Sequence, residues 1–386
     1  MKNKMKKLAC LLALGTLATT SMLAAKPNKY TSYLFTYFTG NAVQEEQIRY
    51  ALSEDGWTWN PLNDGKPIIA SDTIALKKAV RDPHILRGED GYFYQVVTDM
   101  ASSQGWASNR GMVLLRSKNL INWEHHTVHF PEKYKGTNFA HVTRVWAPQT
   151  IYDASVGKYM VYFSLLTDDG SIPYDKVYYQ YANADFSDLE GEPKVLYDTG
   201  DAAIDTDIVL DDDNNYHIFF KTENGRQKGI KQFIAKDLHN YKEWQLQPGF
   251  CQDTNEAVEG AGVFRLHDGT WCLMYDCYGA GHYQFCKSDD LIKFKMVKNT
   301  ATRGAFTPRH GTVIGITAEE EALLKAWEKM QKAKDNLRTR SVPTLSLYQL
   351  QNRQAMIQDI EKTLNSNVSL KSIQALEARL AAFFAK

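Results

Sequence analysis

The stretch Val80-Arg81-Asp82-Pro83-His84-Ile85-Leu86 places a carboxylate at the head of a short apolar run. A turn over 88–91 ends this run, and an aromatic strand over 92–97 follows the turn. Strand, turn and aromatic strand in this order predict a β-hairpin whose first strand opens with Asp82.

The same arrangement occurs twice more along the chain. Asp205 opens an apolar run that leads through an acidic turn into the aromatic strand 216–220. Glu259 opens another run, which leads into the aromatic strand 271–275. We interpret the three acids as occupying equivalent places in three repeats. Acids at the starts of repeated strands come together only if the repeats surround a common axis.

The middle of the chain is a series of short alternating strands that recurs about every fifty residues. Units of a turn and an aromatic strand begin near Asp90, Val156, Asn214 and Asp268. Together with a further blade described below, these units predict an all-β protein, a five-bladed β-propeller over 26–316. The first blade lacks an opening strand of its own. We expect 30–62 to supply its outer strands and 311–314 to complete it, which removes a free edge.

The N-terminal residues have the pattern of an export signal. Four lysines precede an apolar run over 8–17, and small residues follow at Ala24 and Ala25. This order is typical of a cleaved signal peptide, and the run is too short for a typical membrane span. We therefore predict a signal peptide over 1–25 and a periplasmic or secreted protein.

The C-terminal residues change to a helical period. Thr317 and Glu320 have the spacing of a capping box, and apolar residues then recur three or four positions apart. We predict a helical extension over 317–386, as a hairpin or small bundle that braces the propeller.

Composition limits the possible partners. The 45 basic and 45 acidic residues balance, so no net field attracts nucleic acid or an anionic membrane. The 21 Tyr, 17 Phe and 8 Trp suit a β-rich protein with a sugar-binding surface, because aromatic faces stack on sugar rings. We expect a monomer that binds an oligosaccharide or polysaccharide.

Four cysteines follow the predicted signal peptide: Cys251, Cys272, Cys277 and Cys286. Export permits a disulfide, but no spacing fixes a pairing, so we expect buried free thiols. No histidine stands at zinc-ligand spacing beside them, which disfavours a zinc site.

Five motifs in order carry a resemblance to a known family. They are Arg81-Asp82-Pro83, Val145-Trp146-Ala147-Pro148-Gln149, Ala203-Ile204-Asp205, Val258-Glu259-Gly260 and Pro308-Arg309-His310-Gly311. Together they resemble glycoside hydrolase family 43, the five-bladed propeller arabinofuranosidases, xylosidases and arabinanases, over 30–316. The resemblance implies an inverting glycosidase that releases pentose, with α-L-arabinofuranosyl favoured, from plant polysaccharides.

The resemblance also implies a role for each acid. Asp82 is the general base, Glu259 is the general acid, and Asp205 orients the acid and modulates its proton. Inversion places base and acid on opposite faces of the sugar, with carboxyls roughly 6.5–9.5 Å apart. Asp207 is the rival of Asp205, two residues further along the same face of the strand and therefore deeper or shallower.

Three further residues are candidates for the site. His310 resembles the family histidine near the propeller axis, which implies that it can help to hold a cation such as calcium; the family implies no required cofactor. Trp146 and Phe38 are candidates to line the sugar pocket.

Three positions depart from the family pattern. Gln149 stands where the family usually has Glu, and Thr206 and Ala261 stand where it usually has Pro. They adjoin the acids, so they affect the shape of the subsite and leave the sugar open.

Other functions stay open. A β-D-xylosidase or β-galactosidase of the same fold, or a propeller that binds glycan without cleaving it, fits much of the pattern. A retaining fructoside hydrolase also carries an Arg-Asp-Pro triplet, but as its middle motif, whereas here the triplet comes first.

Overall fold

The computed structural model of the chain describes residues 29–223, 228–301 and 306–386. The predicted signal peptide over 1–25 lies outside them. The strands in chain order are β1 (Ser32–Tyr37), β2 (Arg49–Ser53), β3 (Asn60–Pro61), β4 (Val80–Arg87), β5 (Phe93–Asp99), β6 (Gly111–Ser117), β7 (Glu124–His129), β8 (Val142–Asp153), β9 (Lys158–Thr167), β10 (Lys176–Ala182), β11 (Leu189–Tyr197), β12 (Ala203–Leu210), β13 (Tyr216–Thr222), β14 (Gly229–Ala235), β15 (Gln245–Leu246), β16 (Glu259–Arg265), β17 (Trp271–Cys277), β18 (His282–Ser288), β19 (Lys295–Ala301) and β20 (Thr312–Ile316).

Helices are few before the C-terminal region. The α-helices are α1 (Phe130–Lys133), α2 (Ala318–Thr339), α3 (Leu347–Leu364) and α4 (Leu370–Phe384). Short 3-10 turns span Leu62–Gly65, Ser71–Thr73, Ser102–Gln104, Asn138–His141, Tyr241–Glu243 and Val342–Thr344. Within the described ranges, no helix is long and apolar enough to cross a membrane.

The strands form five four-stranded antiparallel sheets, which are the blades of a propeller. Four blades are consecutive along the chain: β4 to β7, β8 to β11, β12 to β15 and β16 to β19. Their first strands and β20 contact one another in a closed ring, β4 to β8 to β12 to β16 to β20 and back to β4. The predicted five-bladed β-propeller is confirmed.

The remaining blade joins both ends of the propeller sequence. Its order is β20, β1, β2, β3, and Phe35 of β1 lies opposite Val313 of β20. This is the predicted closure, in which the late strand completes the blade that lacks its own opening strand. The backbone groups of β1 are thereby paired on both sides, so this strand presents no free edge.

Aromatic side chains fill the space between blades. Between the first and last blades, Trp59 stacks on Phe285 with ring centroids 6.3 Å apart, and Phe35 lies 5.9 Å from Tyr283. Much of the aromatic content of the sequence is therefore core rather than sugar-binding surface.

The C-terminal helices pack against the first two blades. Leu324, Trp327 and Met330 of α2 are buried in one apolar cluster with residues of β1, β2, β5 and β6. The predicted capping box is present, since the side chains of Thr317 and Glu320 each accept a hydrogen bond from the backbone N–H of the other residue. The carboxylate of Glu320 also accepts two hydrogen bonds from Arg87, at 2.8 and 2.7 Å, which ties the start of α2 to β4.

The four described cysteines are buried free thiols, as predicted. The register of β17 and β18 nevertheless places Cys277 directly opposite His282. The prediction that no histidine stands beside the cysteines at ligand spacing is therefore wrong, because a hairpin brings together residues that sequence spacing keeps apart.

Candidate active site

A β-bulge recurs at the same place in four central strands. Each bulge is a shift in the register with the neighbouring strand. The shifts fall between Arg81 and His84 in β4, Trp146 and Gln149 in β8, Ile204 and Asp207 in β12, and Glu259 and Gly262 in β16. In each bulge the residue after the first has a positive φ: 50° at Asp82, 44° at Ala147, 53° at Asp205 and 66° at Gly260. Bulges re-aim side chains, and these four stand at one mouth of the propeller.

The bulges correct one prediction from the sequence. Asp82 and Asp205 occupy the same left-handed position of their bulges, but Glu259 lies one residue earlier, where β4 has Arg81. The three acids are therefore not in equivalent places. Two backbone positions supply them, and Gly260 takes the position that the two aspartates hold in their own strands.

Gly260 is required by its surroundings as well as by its φ of 66°. A Cβ added here would lie 2.7 Å from Cγ and 2.9 Å from Cβ of His310. The histidine ring thus packs directly on the backbone that follows Glu259. Only glycine allows both the left-handed conformation and this close approach.

One small cavity of about 70 Å³ brings the predicted residues together. Its lining consists of Phe38, Arg81, Asp82, Met100, Trp106, Trp146, Ile204, Asp205, Glu259 and His310. All three acids, His310, Trp146 and Phe38 are therefore placed in one site. A larger cavity of about 1210 Å³ lies at the other end of the central strands and contains none of these acids. Ionisable groups with perturbed pKa values mark the smaller cavity as the candidate site.

His310 lies between the two aspartates. Its Nδ1 is 3.4 Å from Oδ1 of Asp82 and 3.7 Å from Oδ1 of Asp205. Burial lowers the pKa of His310, but the two carboxylates outweigh burial and raise the pKa to about 9. The ring is therefore an imidazolium at neutral pH.

Asp82 is held in its ionised form. Burial alone raises its pKa, but the hydrogen bond and charge of His310, with help from Arg81 and Thr98, bring the pKa below its ordinary value. Thr98 donates a hydrogen bond of 2.9 Å to Oδ2 of Asp82. The carboxylate is thus fixed in orientation and ready to accept a proton.

The predicted calcium site at His310 stays a prediction. Calcium takes mostly oxygen ligands. In the described part of the chain, the one group of three His, Cys, Asp or Glu ligand atoms within 4.8 Å of one another excludes His310. His310 serves here as a cation between carboxylates.

Asp205 lies beside the backbone that presents Glu259. Its Oδ2 accepts a hydrogen bond of 2.9 Å from the Gly260 N–H. Burial and the charges of Glu259 and Asp82 raise its pKa, the charge of His310 lowers it, and the resulting pKa is about 6. Asp205 therefore fixes the peptide that follows Glu259, and the charges of the two carboxyl groups interact.

Asp207, the rival, lies deeper along the same strand. Its Oδ2 accepts a 2.6 Å hydrogen bond from the Val263 N–H, and it does not line the cavity. Burial raises its pKa to about 7. The hydrogen-bond network directs the amide nitrogen of Gln149 to Oδ1 of Asp207, at 2.7 Å. A Glu at position 149 would offer no such donor when ionised, so Gln149 matches Asp207.

Glu259 contacts two cations. Its Oε2 accepts a hydrogen bond of 3.2 Å from Lys221 Nζ, and its Oε1 accepts one of 3.1 Å from Arg309 Nη2. Arg309 also donates to buried Asp276, whose pKa burial raises to about 6 against the charge of Arg309. Both oxygens of Glu259 are therefore held in fixed positions, at the edge of the cavity.

Sequence reasoning missed Lys221, Asp276 and Thr98. They lie at matching positions of three blades, where Thr98 pairs with Arg81, Lys221 with Ile204, and Asp276 with Glu259. The available signal was a polar residue at the second position from the end of each strand. That signal becomes specific only when the three strands are compared.

An aromatic wall faces the acids. The guanidinium of Arg81 lies between Phe38 and Trp106, at 4.5 and 5.1 Å from the ring centroids. Trp106 meets Trp146 edge to face at 6.5 Å and is 49% exposed. Sequence reasoning missed Trp106, which lies on the loop after the turn at Ser102–Gln104. An exposed tryptophan on a polar rim is a suitable surface for stacking a sugar ring.

Comparison with known proteins agrees with this geometry. The family model described as "Probable glycosyl hydrolase domain", which is related to glycoside hydrolase family 43, matches residues 28–322. The chain belongs to this family. The resemblance seen in the sequence is confirmed, and the protein is a glycoside hydrolase of the family 43-related type.

A curated relative is the α-L-arabinofuranosidase of Bifidobacterium longum subsp. longum. It is 28% identical over 221 residues, which cover 52% of this chain and 20% of that protein. The match thus spans about a fifth of the relative's length.

Solved structures with similarity to this chain include a thermostable family-43 glycoside hydrolase and an endo-arabinase from Bacteroides thetaiotaomicron VPI-5482. The first is 22% identical, with a TM-score of 0.43, over 57% of this chain and 72% of that chain. The second is 15% identical, with a TM-score of 0.49, over 71% of this chain and 90% of that chain.

Proposed function

We propose that this glycoside hydrolase releases single α-L-arabinofuranosyl residues from plant cell-wall polysaccharides or oligosaccharides, with inversion of the anomeric centre. The observation that carries the proposal is that Asp82, Asp205 and Glu259 line one small cavity. Its volume of about 70 Å³ is small beside the roughly 300–1,000 Å³ of pockets for drug-sized ligands, which favours a single terminal sugar over a longer segment of glycan. The choice of arabinose rests on the curated relative.

The reaction is a single displacement. Asp82 takes a proton from a water molecule, and the water oxygen forms a bond to the anomeric carbon. The bond from that carbon to the leaving oxygen breaks on the opposite face. Glu259, which must be protonated before this step, gives its proton to the leaving oxygen and becomes the carboxylate that Lys221 and Arg309 contact. The products are the free sugar with inverted configuration and the shortened glycan.

Asp205 acts in this scheme as a positioning residue. Its hydrogen bond to the Gly260 N–H fixes the peptide next to Glu259. Lys221 and Arg309 hold the two oxygens of Glu259 from the other side. Pre-positioning of the acid removes the entropy cost of orienting it during the reaction.

The test follows the anomeric proton by NMR during hydrolysis of aryl α-L-arabinofuranoside, β-D-xyloside and β-D-galactoside. The proposal expects initial release of the inverted anomer from the arabinofuranoside. Initial release of the retained anomer would contradict the single displacement. Faster turnover of the xyloside or galactoside would name another sugar and leave the roles of the acids standing.

Two variants separate the roles of the acids. Glu259→Gln should reduce turnover by about 10²–10⁴-fold on a substrate with a poor leaving group, and much less on a dinitrophenyl glycoside, which needs no acid. Asp82→Asn should lose turnover on both. Asp213→Asn, at an exposed carboxylate in the turn after β12, is the matched control and should keep full activity.

The glycan-binding alternative has its own outcome. If no substrate turns over and Glu259→Gln binds oligosaccharide as tightly as the unaltered chain, the protein is a glycan-binding propeller. An inactive Glu259→Gln that retains ligand, beside an active unaltered chain, supports the enzyme.

We also propose that the mature chain acts as a monomer in the periplasm or outside the cell. The proposal rests on the lysines and apolar run at the start of the sequence. N-terminal sequencing of the fractionated protein should begin after residue 25, and an uncleaved cytoplasmic chain would contradict it. Light scattering of the mature protein tests the monomer.

A further inference from the structure

Three metal-binding side chains meet at the rim of the last blade. Cys277 and His282 lie opposite each other at the tip of the hairpin of β17 and β18, and Glu256 lies in the segment that leads into β16. One ligand atom of each lies within 4.8 Å of the other two. In the ranges that the structure describes, they are the one group of three such residues that meets this limit.

One of the converging ligand atoms, the ring nitrogen of His282, has no hydrogen-bond partner within the described ranges. His282 Nε2 lies 2.9 Å from Oε2 of Glu256, yet this buried nitrogen has no partner in hydrogen-bond geometry among the described residues. Cys277 is fully buried, whereas the side chain of Glu256 is 40% exposed. A sulfur, a nitrogen and an oxygen therefore surround a point that solvent reaches from one side.

We propose that Glu256, Cys277 and His282 bind a zinc ion, with water as the fourth ligand. Zinc takes cysteine sulfur, histidine nitrogen and carboxylate oxygen in a tetrahedral arrangement. Calcium and magnesium prefer oxygen ligands alone, so the cysteine sulfur selects against them.

The position of the site gives the ion a structural role near the candidate active site. Glu256 precedes Glu259 by three residues, and Cys277 follows Asp276, which holds Arg309. A bound ion would join the tip of the hairpin to the segment that leads into Glu259. It would thereby order the segment before Glu259 and the end of the neighbouring strand β17, without contacting the sugar.

The test is a Co²⁺ titration of the reduced, chelator-treated full chain. We expect one Co²⁺ per chain with a thiolate-to-cobalt charge-transfer band, and its loss when Zn²⁺ is added. Cys277→Ser should lose this band. His282→Gln should weaken binding by more than the roughly 10–100-fold that loss of an outer-shell partner costs. Cys251→Ser, which changes another buried thiol in the same apolar cluster, should bind as the unaltered chain does.

A second readout guards against misfolding of the cysteine variant. Zn²⁺ should raise the melting temperature of the unaltered chain and leave that of His282→Gln unchanged, because a ligand that binds only the folded state stabilises it. No charge-transfer band in the unaltered chain would overturn the proposal. A band that survives in Cys277→Ser, or equal zinc stabilisation of His282→Gln, would overturn it as well.

Discussion

Nδ1 of His310 lies 3.4 Å from Oδ1 of Asp82, in the small cavity that the three acids line. His310 is buried, the side chain of Asp82 is 14% exposed, and the imidazolium is also close to Asp205. One positive charge therefore permits two carboxylates to stand near each other in a small cavity. A site built in this way depends on the charge of the histidine more than on its shape.

Replacing His310 by Gln should move the acidic limb of kcat/KM to higher pH. Asp82 works in its ionised form, and the charge of His310 lowers its pKa, so loss of that charge raises the pKa. Activity then disappears at a higher pH as the solution is acidified. Loss of one partner from a buried ion pair should also destabilise the fold by about 3 kcal/mol.

The control for His310 is His84→Gln. His84 is buried too, but burial and the charge of His310 lower its pKa to about 3, so it is neutral. Its replacement should leave the acidic limb of the pH profile in place. Equal movement of the limb in both variants would show that burial, rather than charge, sets the behaviour of Asp82.

Gly260→Ala should reduce both stability and activity, whereas Gly191→Ala should reduce only stability. The φ values are nearly equal, 66° and 65°, so the backbone cost of about 1–2 kcal/mol is shared. At Gly191 an added Cβ meets no atom within 4 Å, but at Gly260 it meets the ring of His310. Urea unfolding and kcat, measured on both variants, separate the two costs. If Gly260→Ala and Gly191→Ala had the same stability and the same kcat, the contact between Gly260 and His310 would not matter.

Asp207→Asn should remove a pH dependence of stability. The folded pKa is about 7, against about 3.9 for an unfolded aspartate, so the folded state binds the proton more tightly. This contribution is fully present below about pH 4 and is lost as the pH rises through about 7. The difference of three in pKa corresponds to a change on the order of 4 kcal/mol.

Urea unfolding between pH 4 and pH 7 measures this change. The free energy of unfolding of Asp207→Asn should fall less over that range than the free energy of the unaltered chain. Gln149 can turn its amide to meet either side chain, so the variant should fold. Asp213→Asn, at an exposed position, should follow the unaltered chain. Parallel curves for Asp207→Asn and the unaltered chain would refute the prediction.

Trp327→Ala should destabilise the whole protein by about 3–5 kcal/mol. Trp327 is buried in the apolar cluster that α2 shares with the first two blades. Phe384→Ala, at a side chain that is 40% exposed, is the control and should change stability by no more than about 0.5 kcal/mol. Thermal unfolding, followed by the near-ultraviolet signal of the propeller, measures both. An unchanged propeller transition in Trp327→Ala would mean that the helices do not brace it.

The sequence by itself determined the architecture, because that information is local. Alternating strands and regular turns predict blades, and the capping box of Thr317 and Glu320 marks the change to helix. The order of the motifs predicts the family and nominates Asp82, Asp205 and Glu259. These features depend on periodicity and on neighbours along the chain, which one sequence displays directly.

Only the tertiary structure decided how the site is built. In its bulge Glu259 lies one residue earlier than the two aspartates do in theirs. The adjacent strands supply Lys221, Asp276 and Thr98. The hairpin register brings His282 to Cys277. Such contacts join residues far apart in sequence, or depend on a one-residue shift in pairing. Packing between strands and blades determines these contacts, and they cannot be predicted from local periodicity.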